Sequence, residues 1–331
     1  MIITRTPFRI SFFGGGTDYP TWYREEPGAV LSTTIDKYCW INLRDLPSFF
    51  EYKSRIVYTK TELVSSIGEI KHPSIREALR YMKYADDSRI ELHHAGDLPA
   101  RTGLGASSTF IVGLLHALYV KLGISPSKYD LAKGAIEIEQ NHVGDAVGSQ
   151  DQTAAAFGGL NEIQFHGEND IRVMSVDVPP ERIAALESHL MLYFTGIFRS
   201  APEIAADQIS HFKDHKAGLR EMRGMVAEGI QILKGNGNLD AFGKLLHEGW
   251  RLKKELSDKV SNPTIDGIYQ AAREAGAIGG KLLGAGGGGF MLFFVRPEEH
   301  HKVRERLKEL VKVPFRFDDA GSQVIFRRLH S

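Results

Sequence analysis

The stretch Leu98-Pro-Ala-Arg-Thr-Gly-Leu-Gly-Ala-Ser-Ser-Thr109 runs directly into the apolar segment Phe110–Val120. Glycines let a backbone turn tightly with its N–H groups unobstructed, and the apolar segment predicts a buried helix. The first N–H groups of a helix lack partners and lie at the positive end of its dipole. We therefore predict a phosphate-binding loop at a helix start. An ordinary glycine-rich loop with a serine cap is the alternative. No Gly-Lys-Ser/Thr follows, which excludes a Walker loop.

A second glycine-rich segment, Gly284-Ala-Gly-Gly-Gly-Gly289, precedes the apolar run Phe290–Val295. It satisfies the GxGxxG spacing of dinucleotide-binding proteins, but a predicted strand follows it where that motif requires a helix. Five glycines in six residues are costly in chain entropy, so we expect a close approach by a partner, either backbone or ligand. A tight strand-to-strand hairpin is the alternative.

A third segment, Pro7–Pro20, is a predicted strand that ends in three glycines and then presents Thr17 and Asp18. We expect Arg9 on the strand and Asp18 beyond the turn to face one cavity. The guanidinium would point toward a phosphoryl group and the carboxylate toward sugar hydroxyls. The alternative is a surface ion pair and a turn aspartate.

Composition excludes several functional classes. The 331 residues include 41 Lys and Arg and 41 Asp and Glu, so no basic surface for nucleic acid or anionic membrane is indicated. The single cysteine, Cys39, forbids an internal disulfide and fits a reducing cytoplasm. No segment approaches the ~20 apolar residues of a membrane span. We expect a cytoplasmic protein without nucleic-acid or membrane partners. The histidines lack the spacing of a metal-dependent hydrolase.

The chain divides into two predicted domains. Short strands dominate up to about residue 176, and long helical segments follow the break at Val178-Pro179-Pro180. We place the boundary there, giving domains 1–178 and 179–331. The end of the second domain is predicted as αββαβ, with Ser322–Arg327 as its last strand, an order typical of α+β sandwiches.

Taken in order, the three segments resemble the motifs of the GHMP kinases, a family named for galactokinase, homoserine kinase, mevalonate kinase and phosphomevalonate kinase. Pro7–Tyr19 is similar to the first motif, Pro99–Ser108 to the second and Lys281–Gly289 to the third. The resemblance implies a two-domain α+β fold. It consists of an N-terminal domain of the ribosomal-protein-S5 type and a C-terminal ferredoxin-like sandwich, with ATP between them.

The resemblance also implies catalytic and metal-binding roles. Asp151 would be the catalytic aspartate that accepts or orients the proton of the attacking hydroxyl, and Arg9 would stabilise the transferring charge. Ser107 and Glu139 would ligate Mg²⁺, a hard ion that prefers oxygen ligands. Glu137 competes with Glu139, because the spacing to Asp151 is one residue longer than in the mevalonate branch.

Two further sets of residues are implied to bind ligands. The ATP phosphates are expected on Pro99, Arg101, Thr102, Gly103, Leu104, Gly105, Ala106, Ser107 and Ser108, although Ala106 stands where a serine is commonest. The acceptor is expected on Gly14, Gly15, Gly16, Thr17, Asp18, Arg199, Gly286 and Gly287. Arg199 is a candidate for binding a phosphate on the acceptor itself, and a structural salt bridge is the alternative.

Within the family, the first motif, the segment Gly148–Gln152 and the segment Tyr193–Ala201 look most like those of bacterial kinases of D-glycero-D-manno-heptose 7-phosphate. These enzymes phosphorylate the anomeric hydroxyl on the route to nucleotide-activated heptose for capsule, S-layer glycan or lipopolysaccharide. The alternatives are a kinase of an unphosphorylated sugar, such as fucose or galactose, and a non-catalytic sugar or nucleotide sensor on the same fold. A homodimer is the expected assembly if the protein is not a monomer.

Overall fold

A long antiparallel pair of strands forms the centre of the larger of two sheets in the computed structural model, which describes residues 1–100, 102–168, 170–198 and 201–328. Both sheets are mixed with helices, which confirms the predicted α+β class. The strands are β1 (Ile2–Phe13), β2 (Gly28–Asp45), β3 (Ser54–Val57), β4 (Thr61–Val64), β5 (Ile90–Gly96), β6 (Asn161–His166), β7 (Asp170–Ser175), β8 (Leu190–Phe194), β9 (Ala277–Leu282), β10 (Phe290–Val295), β11 (Val311–Val313), β12 (Phe317–Asp318) and β13 (Gln323–Arg327).

The larger sheet runs in the order β13-β1-β2-β5-β3-β4, with β6 and β12 also paired to β2 and with β7 paired to β6. The smaller sheet has the order β11-β8-β10-β9 and is antiparallel. Its central strand β10 is buried along its whole length, as expected for a continuous apolar run.

Helices cover both sheets. They are α1 (Pro20–Tyr23), α2 (Pro73–Tyr81), α3 (Ala106–Lys121), α4 (Lys128–Glu137), α5 (Gln150–Phe157), α6 (Pro180–His189), α7 (Ala201–His211), α8 (Lys216–Lys234), α9 (Asp240–Glu255), α10 (Pro263–Glu274) and α11 (His300–Arg306). The apolar helix α3 lies on β1 and β2, where the Thr4 hydroxyl donates to the Gly113 carbonyl at 2.9 Å. The helix predicted from Lys128 to Gln140 ends as a regular α-helix at Glu137 and continues as a π-helical turn, Ile138–Val143.

The last strand differs from its expected place. The predicted strand near Ser322–Arg327 exists as β13, but it pairs with β1 in the larger sheet and not with the second domain's strands. Sequence alternation predicts a strand without fixing its neighbour, which explains the difference. The boundary between domains 1–178 and 179–331 stays a prediction. In the described part of the chain, no helix is both long and apolar enough to cross a membrane.

Candidate active site

The guanidinium of Arg9 and the carboxylate of Asp151 form a two-point ion pair. Arg9 Nε donates to Asp151 Oδ1 at 2.7 Å, and Nη2 donates to Oδ2 at 2.8 Å. Arg9 lies on β1, whereas Asp151 lies in the first turn of α5, so the pair joins a strand to a helix. The Arg9 side chain is 3% exposed and that of Asp151 is 23% exposed. The carboxylate is thus held in one orientation and keeps one accessible edge.

The loop before α3 wraps around this pair. Arg9 Nη1 donates to the Gly103 carbonyl at 2.8 Å, and the Arg9 backbone N–H donates to Leu104 O at 3.3 Å. Gly103 and Gly105 adopt φ of +86° and +76°, which L side chains rarely adopt. A Cβ on Gly105 would lie 3.1 Å from Asp151 Oδ2. The start of α3 therefore lies directly beside the ion pair.

The remaining loop residues surround the start of the helix. Thr102 is buried and its hydroxyl donates to the Pro99 carbonyl at 2.7 Å, which fixes the entry of the loop. Ser107 is exposed in the first helical turn, whereas Ser108 is buried. Arg101, also expected at the ATP site, lies outside the described residues. The exposed first turn leaves helix N–H groups accessible to an anion.

The two competing glutamates have different surroundings. Glu139 is fully buried in the π-helical turn, where its Oε2 accepts from Ser108 Oγ at 2.7 Å and from Gln152 Nε2 at 2.5 Å. Glu137 is 46% exposed and accepts from Asn141 Nδ2 at 2.7 Å. The structure therefore places Glu139, and not Glu137, beside the serines of the loop. A π-helical turn is a frequent way of directing a functional side chain.

Glu139 Oε1 is buried and has no hydrogen-bond partner among the residues that the structure describes. Burial raises the pKa of Glu139 to about 7, and hydrogen bonds from Ser108, Ser107 and Gln152 oppose part of that rise. A buried carboxylate oxygen without a partner is costly unless a cation or a proton satisfies it. Its oxygen, together with the nearby Ser107 hydroxyl, fits the preference of Mg²⁺ for hard ligands. Among the described residues no group of three or more His, Cys, Asp and Glu is arranged to hold a metal ion.

The first glycine segment forms a turn that closes on Asp18. Gly14 and Gly16 have φ of +83° and +112°, and the Gly16 N–H donates to Asp18 Oδ1 at 2.9 Å. Asp18 is 1% exposed, so burial raises its pKa; the Gly16 N–H opposes the rise, and the charge of Asp151 adds to it. The structure brings Asp18 close to Asp151, which is the ion-pair partner of Arg9. That Arg9 and Asp18 face one cavity stays a prediction.

Thr17 was expected to contact the acceptor, but in the structure its side chain binds backbone groups. It is fully buried, and the single proton of its hydroxyl is shared between Gly14 O at 2.8 Å and Ala29 O at 3.0 Å. The same oxygen accepts from the Ala29 N–H at 3.1 Å. Its hydroxyl therefore fastens the turn to β2 and is not presented to a ligand.

The glycines between β9 and β10 are used for close backbone packing. A Cβ on Gly289 would lie 2.2 Å from the Thr102 carbonyl oxygen, and one on Gly286 would lie 2.7 Å from Val260 Cα. The Gly287 N–H, expected to bind the acceptor, donates to Val260 O at 2.8 Å. The close partner predicted for this segment is therefore backbone at these positions. Arg199, the other expected contact in this domain, lies outside the described residues.

Sequence reasoning missed two polar side chains of the site. Gln152, one residue after Asp151, donates to Glu139. Lys281 is 6% exposed, and its Nζ donates to the Phe12 carbonyl at 2.8 Å. Gln152 belongs to the segment Gly148–Gln152, which the sequence analysis had already selected, so its amide could have been proposed as part of the site. A lysine on a strand is usually solvated. Its position at the start of the third motif is the one signal in the sequence that could have identified Lys281 as part of the site.

A helix start with accessible N–H groups, a fixed guanidinium–carboxylate pair and a buried carboxylate are the parts of a nucleotide-dependent phosphotransferase. The GHMP kinases N terminal domain matches residues 73–159, and the GHMP kinases C terminal domain matches residues 228–313. The chain belongs to the GHMP kinase family, whose members use ATP as the phosphate donor. The predicted family, fold class and kinase class are confirmed.

Two relatives and one solved structure illustrate the similarity. The chain is 32% identical over 317 residues to a D-glycero-alpha-D-manno-heptose 7-phosphate kinase of Campylobacter jejuni, covering 93% of each chain. It is 25% identical to a galactokinase of Roseiflexus sp., covering 93% of this chain and 87% of the relative. The crystal structure of a D-glycero-D-manno-heptose 1-phosphate kinase of Bacteroides thetaiotaomicron superposes with a TM-score of 0.81 at 24% identity and complete coverage of both chains. That structure supports the fold. The individual residue roles stay predictions.

Proposed function

We propose that this kinase transfers the γ-phosphoryl group of ATP to the anomeric hydroxyl of D-glycero-D-manno-heptose 7-phosphate, giving the 1,7-bisphosphate. The 32% identity to a heptose 7-phosphate kinase extends over 93% of both chains, which supports the substrate. The observation that carries the chemistry is the Arg9–Asp151 pair, which is held against the loop at the start of α3. Since that reaction consumes intracellular ATP, it fits the expected cytoplasmic location.

The donor phosphates occupy the start of α3 in this proposal. The N–H groups of the first helical turn and the turn at Gly103 and Gly105 supply hydrogen-bond donors and the positive end of the helix dipole. Ser107 and Glu139 would hold Mg²⁺, which neutralises phosphate charge when it is bound. The Ser108 and Gln152 side chains hold the Glu139 carboxylate in place through its other oxygen.

Asp151 and Arg9 act on the acceptor and on the transferring group. Each carboxylate oxygen has a second lone pair beyond the one that Arg9 occupies, so the accessible edge can accept the acceptor's hydroxyl proton. The acceptor oxygen forms a bond to the γ-phosphorus, the bond from that phosphorus to the leaving oxygen of ADP breaks, and the proton passes to Asp151. Arg9 lowers the energy of the negative charge that builds up in this step.

The acceptor sugar would bind against Gly14–Gly16 and Asp18. The Asp18 carboxylate is held by the Gly16 N–H and is adjacent to Asp151 through the segment that contains Ser149, whose N–H donates to the Asp18 carbonyl at 2.9 Å. This contact couples the acceptor side of the site to the start of α5. A homodimer and the absence of nucleic-acid and membrane partners stay predictions.

The test is ADP release with Mg²⁺ and ATP against heptose 7-phosphate, sedoheptulose 7-phosphate, mannose, fucose, galactose and mevalonate. We expect turnover on the heptose phosphate, a loss of about 10³-fold in kcat for Asp151→Asn, and no change for the exposed control Asp170→Asn. Turnover on galactose or fucose alone would show that the proposed substrate is wrong and that the proposed mechanism still applies. Full activity of Asp151→Asn would overturn the role of the carboxylate. ATP binding without turnover on any acceptor would favour the sensor.

A further inference from the structure

Lys281 is a buried lysine whose side chain reaches from the smaller sheet to the larger one. It lies on β9, and its Nζ donates to the carbonyl of Phe12 near the end of β1, at 2.8 Å. Phe12 is two residues before Gly14, where the turn that leads to Asp18 begins. A side chain of the second sheet therefore holds the strand end from which the expected acceptor-binding turn starts.

The charges around this ammonium do not balance it. Burial lowers the pKa of Lys281 well below its usual range, and the cations Lys253 on α9 and Arg9 on β1 lower it further, whereas only Asp18 opposes them. Arg9 is already paired with Asp151. An ammonium has three N–H donors, and within the described chain the Phe12 carbonyl is the only acceptor bonded to Lys281. A buried cation with unused donors is stabilised by an added anion.

We propose that Lys281 is a positioning residue for an anionic acceptor, which it favours by fixing the end of β1 and the Gly14–Asp18 turn and by placing an uncompensated positive charge beside them. This inference rests on the proposed function, because it assumes that the acceptor binds at that turn. A phosphorylated sugar is the class of acceptor that neutralises the charge of Lys281. A neutral sugar benefits only from the ordered Gly14–Asp18 turn.

The hydrogen bonds of Lys281 and of the ATP loop go to different parts of the site. The ATP loop contacts the second domain through Thr102, whose carbonyl accepts from the Phe290 N–H at 3.1 Å. Lys281 is bonded to the acceptor side, at Phe12. Replacing the lysine should therefore change the KM for the acceptor and leave the KM for ATP nearly unaltered.

Steady-state kinetics with heptose 7-phosphate and ATP between pH 6.5 and 9.5 test the proposal, on the wild type, Lys281→Met, Lys281→Arg and Lys254→Met. Lys254 is an exposed lysine on α9 that pairs with Asp266, so its variant loses the same charge away from the site. We expect Lys281→Met to raise the acceptor KM by about 10-fold to 100-fold, with the KM for ATP within about twofold. Lys281→Arg should recover part of the loss, and Lys254→Met should match the wild type.

The pH profile distinguishes a charge role from a purely structural one. Protonated Lys281 attracts the anion, so kcat/KM for the acceptor should fall as pH rises through the lowered pKa of Lys281. The charged groups that face Lys281 are Lys253, Arg9 and Asp18. Lys281→Met should lack this alkaline fall. A variant with the wild-type acceptor KM, or one that keeps the alkaline fall, overturns the proposal.

Failure of the inference is distinguishable from failure of the proposed function. If the wild type phosphorylates the heptose phosphate and Lys281→Met does so with the same KM, only the role of Lys281 is wrong. If the wild type does not turn over heptose phosphate, the role of Lys281 is tested by calorimetry, which compares the affinity of the wild type and of Lys281→Met for that sugar phosphate. Equal affinities, or no binding to either protein, overturn the role of Lys281, and a weaker affinity for Lys281→Met supports it. Should Lys281→Met not fold, the pH profile of Lys281→Arg decides. A guanidinium keeps its charge, so this variant should lack the alkaline fall in kcat/KM for the acceptor, and a fall that persists overturns the role of Lys281.

Discussion

The two glycine-rich segments at Gly103–Gly105 and Gly284–Gly289 look alike in the sequence but do different things in the structure. The first leaves the start of α3 accessible, with an exposed Ser107 and a fixed carboxylate beside it. In the second, Gly286 and Gly289 lie against the backbone of Val260 and Thr102. A high glycine content predicts that another group packs closely against the backbone. Only the structure shows whether that group is a ligand or another part of the chain.

The largest effect on stability should come from Gly289→Ala, in the segment Gly284–Gly289. Its φ is +104°, and the added Cβ would lie 2.2 Å from the Thr102 carbonyl oxygen, which is backbone and cannot rotate away. We expect the free energy of unfolding to fall by about 4 kcal/mol, measured by urea denaturation. The exposed Gly237→Ala, with open space around its Cβ, is the control. A loss below about 1 kcal/mol would contradict the packing role.

Glu139→Gln tests the accessible site at the start of α3, beside the Gly103–Gly105 segment. The amide keeps the size of the side chain but removes the charge that would face a cation, so we expect kcat to fall about 100-fold, which is about 3 kcal/mol of activation free energy. Saturating Mg²⁺ should not restore it. Glu137→Gln is the matched control two residues away and should keep wild-type kcat. Equal losses in the two variants would remove the distinction between these glutamates.

The pH dependence of stability should also mark Glu139. Its folded pKa of about 7 exceeds the value of 4.5 for an ordinary glutamate, so the folded state binds the proton more tightly. This side chain's contribution therefore favours the folded state at low pH and is lost as pH rises. Between pH 5 and 8, we expect the free energy of unfolding of the metal-free wild type to drop by about 2 kcal/mol more than that of Glu139→Gln. Parallel pH curves for the two proteins would show that the carboxylate is not strained by burial.

The smallest effect on stability should come from Gly105→Ala. Here the added Cβ meets the side chain of Asp151 at 3.1 Å, and φ is +76°. We expect a loss of about 1 kcal/mol in unfolding free energy and of about tenfold in kcat, because the carboxylate is displaced. Thermal unfolding and initial rates measure the two effects. A variant that loses stability but keeps its kcat would place Gly105 in the same class as Gly289.

Much of this molecule follows from its sequence, because local patterns carry local structure. The order of the three glycine segments predicted the family, and the run Phe110–Val120 predicted a buried helix. The α+β class followed from the predicted αββαβ order at the end of the second domain and from the resemblance to the family, and the structure has that class. The choice between Glu139 and Glu137 stayed open because helical spacing separates their faces without showing which face the serines meet.

What the sequence left open depends on contacts between distant segments. The Arg9–Asp151 bond joins residues 142 positions apart, and the Lys281 contact joins residues 269 positions apart. Thr17 was expected to face the acceptor because a hydroxyl after three glycines is chemically suited to it, yet the turn directs it inward. The partner of a polar side chain is set by tertiary packing, which residue type alone does not report.

The return of β13 to the edge of β1 has a consequence for how the protein is made. Residues Gln323–Arg327 pair with the strand that begins at Ile2, so the strand that carries Arg9 is bordered on that side by residues that are synthesised long after it. Pairings of this sequence separation form slowly, because loop closure precedes the contacts that reward it. On the ribosome, this edge of the nascent β1 stays unpaired until β13 emerges, and a chain stalled before Gln323 keeps an unpaired edge that can associate with other chains.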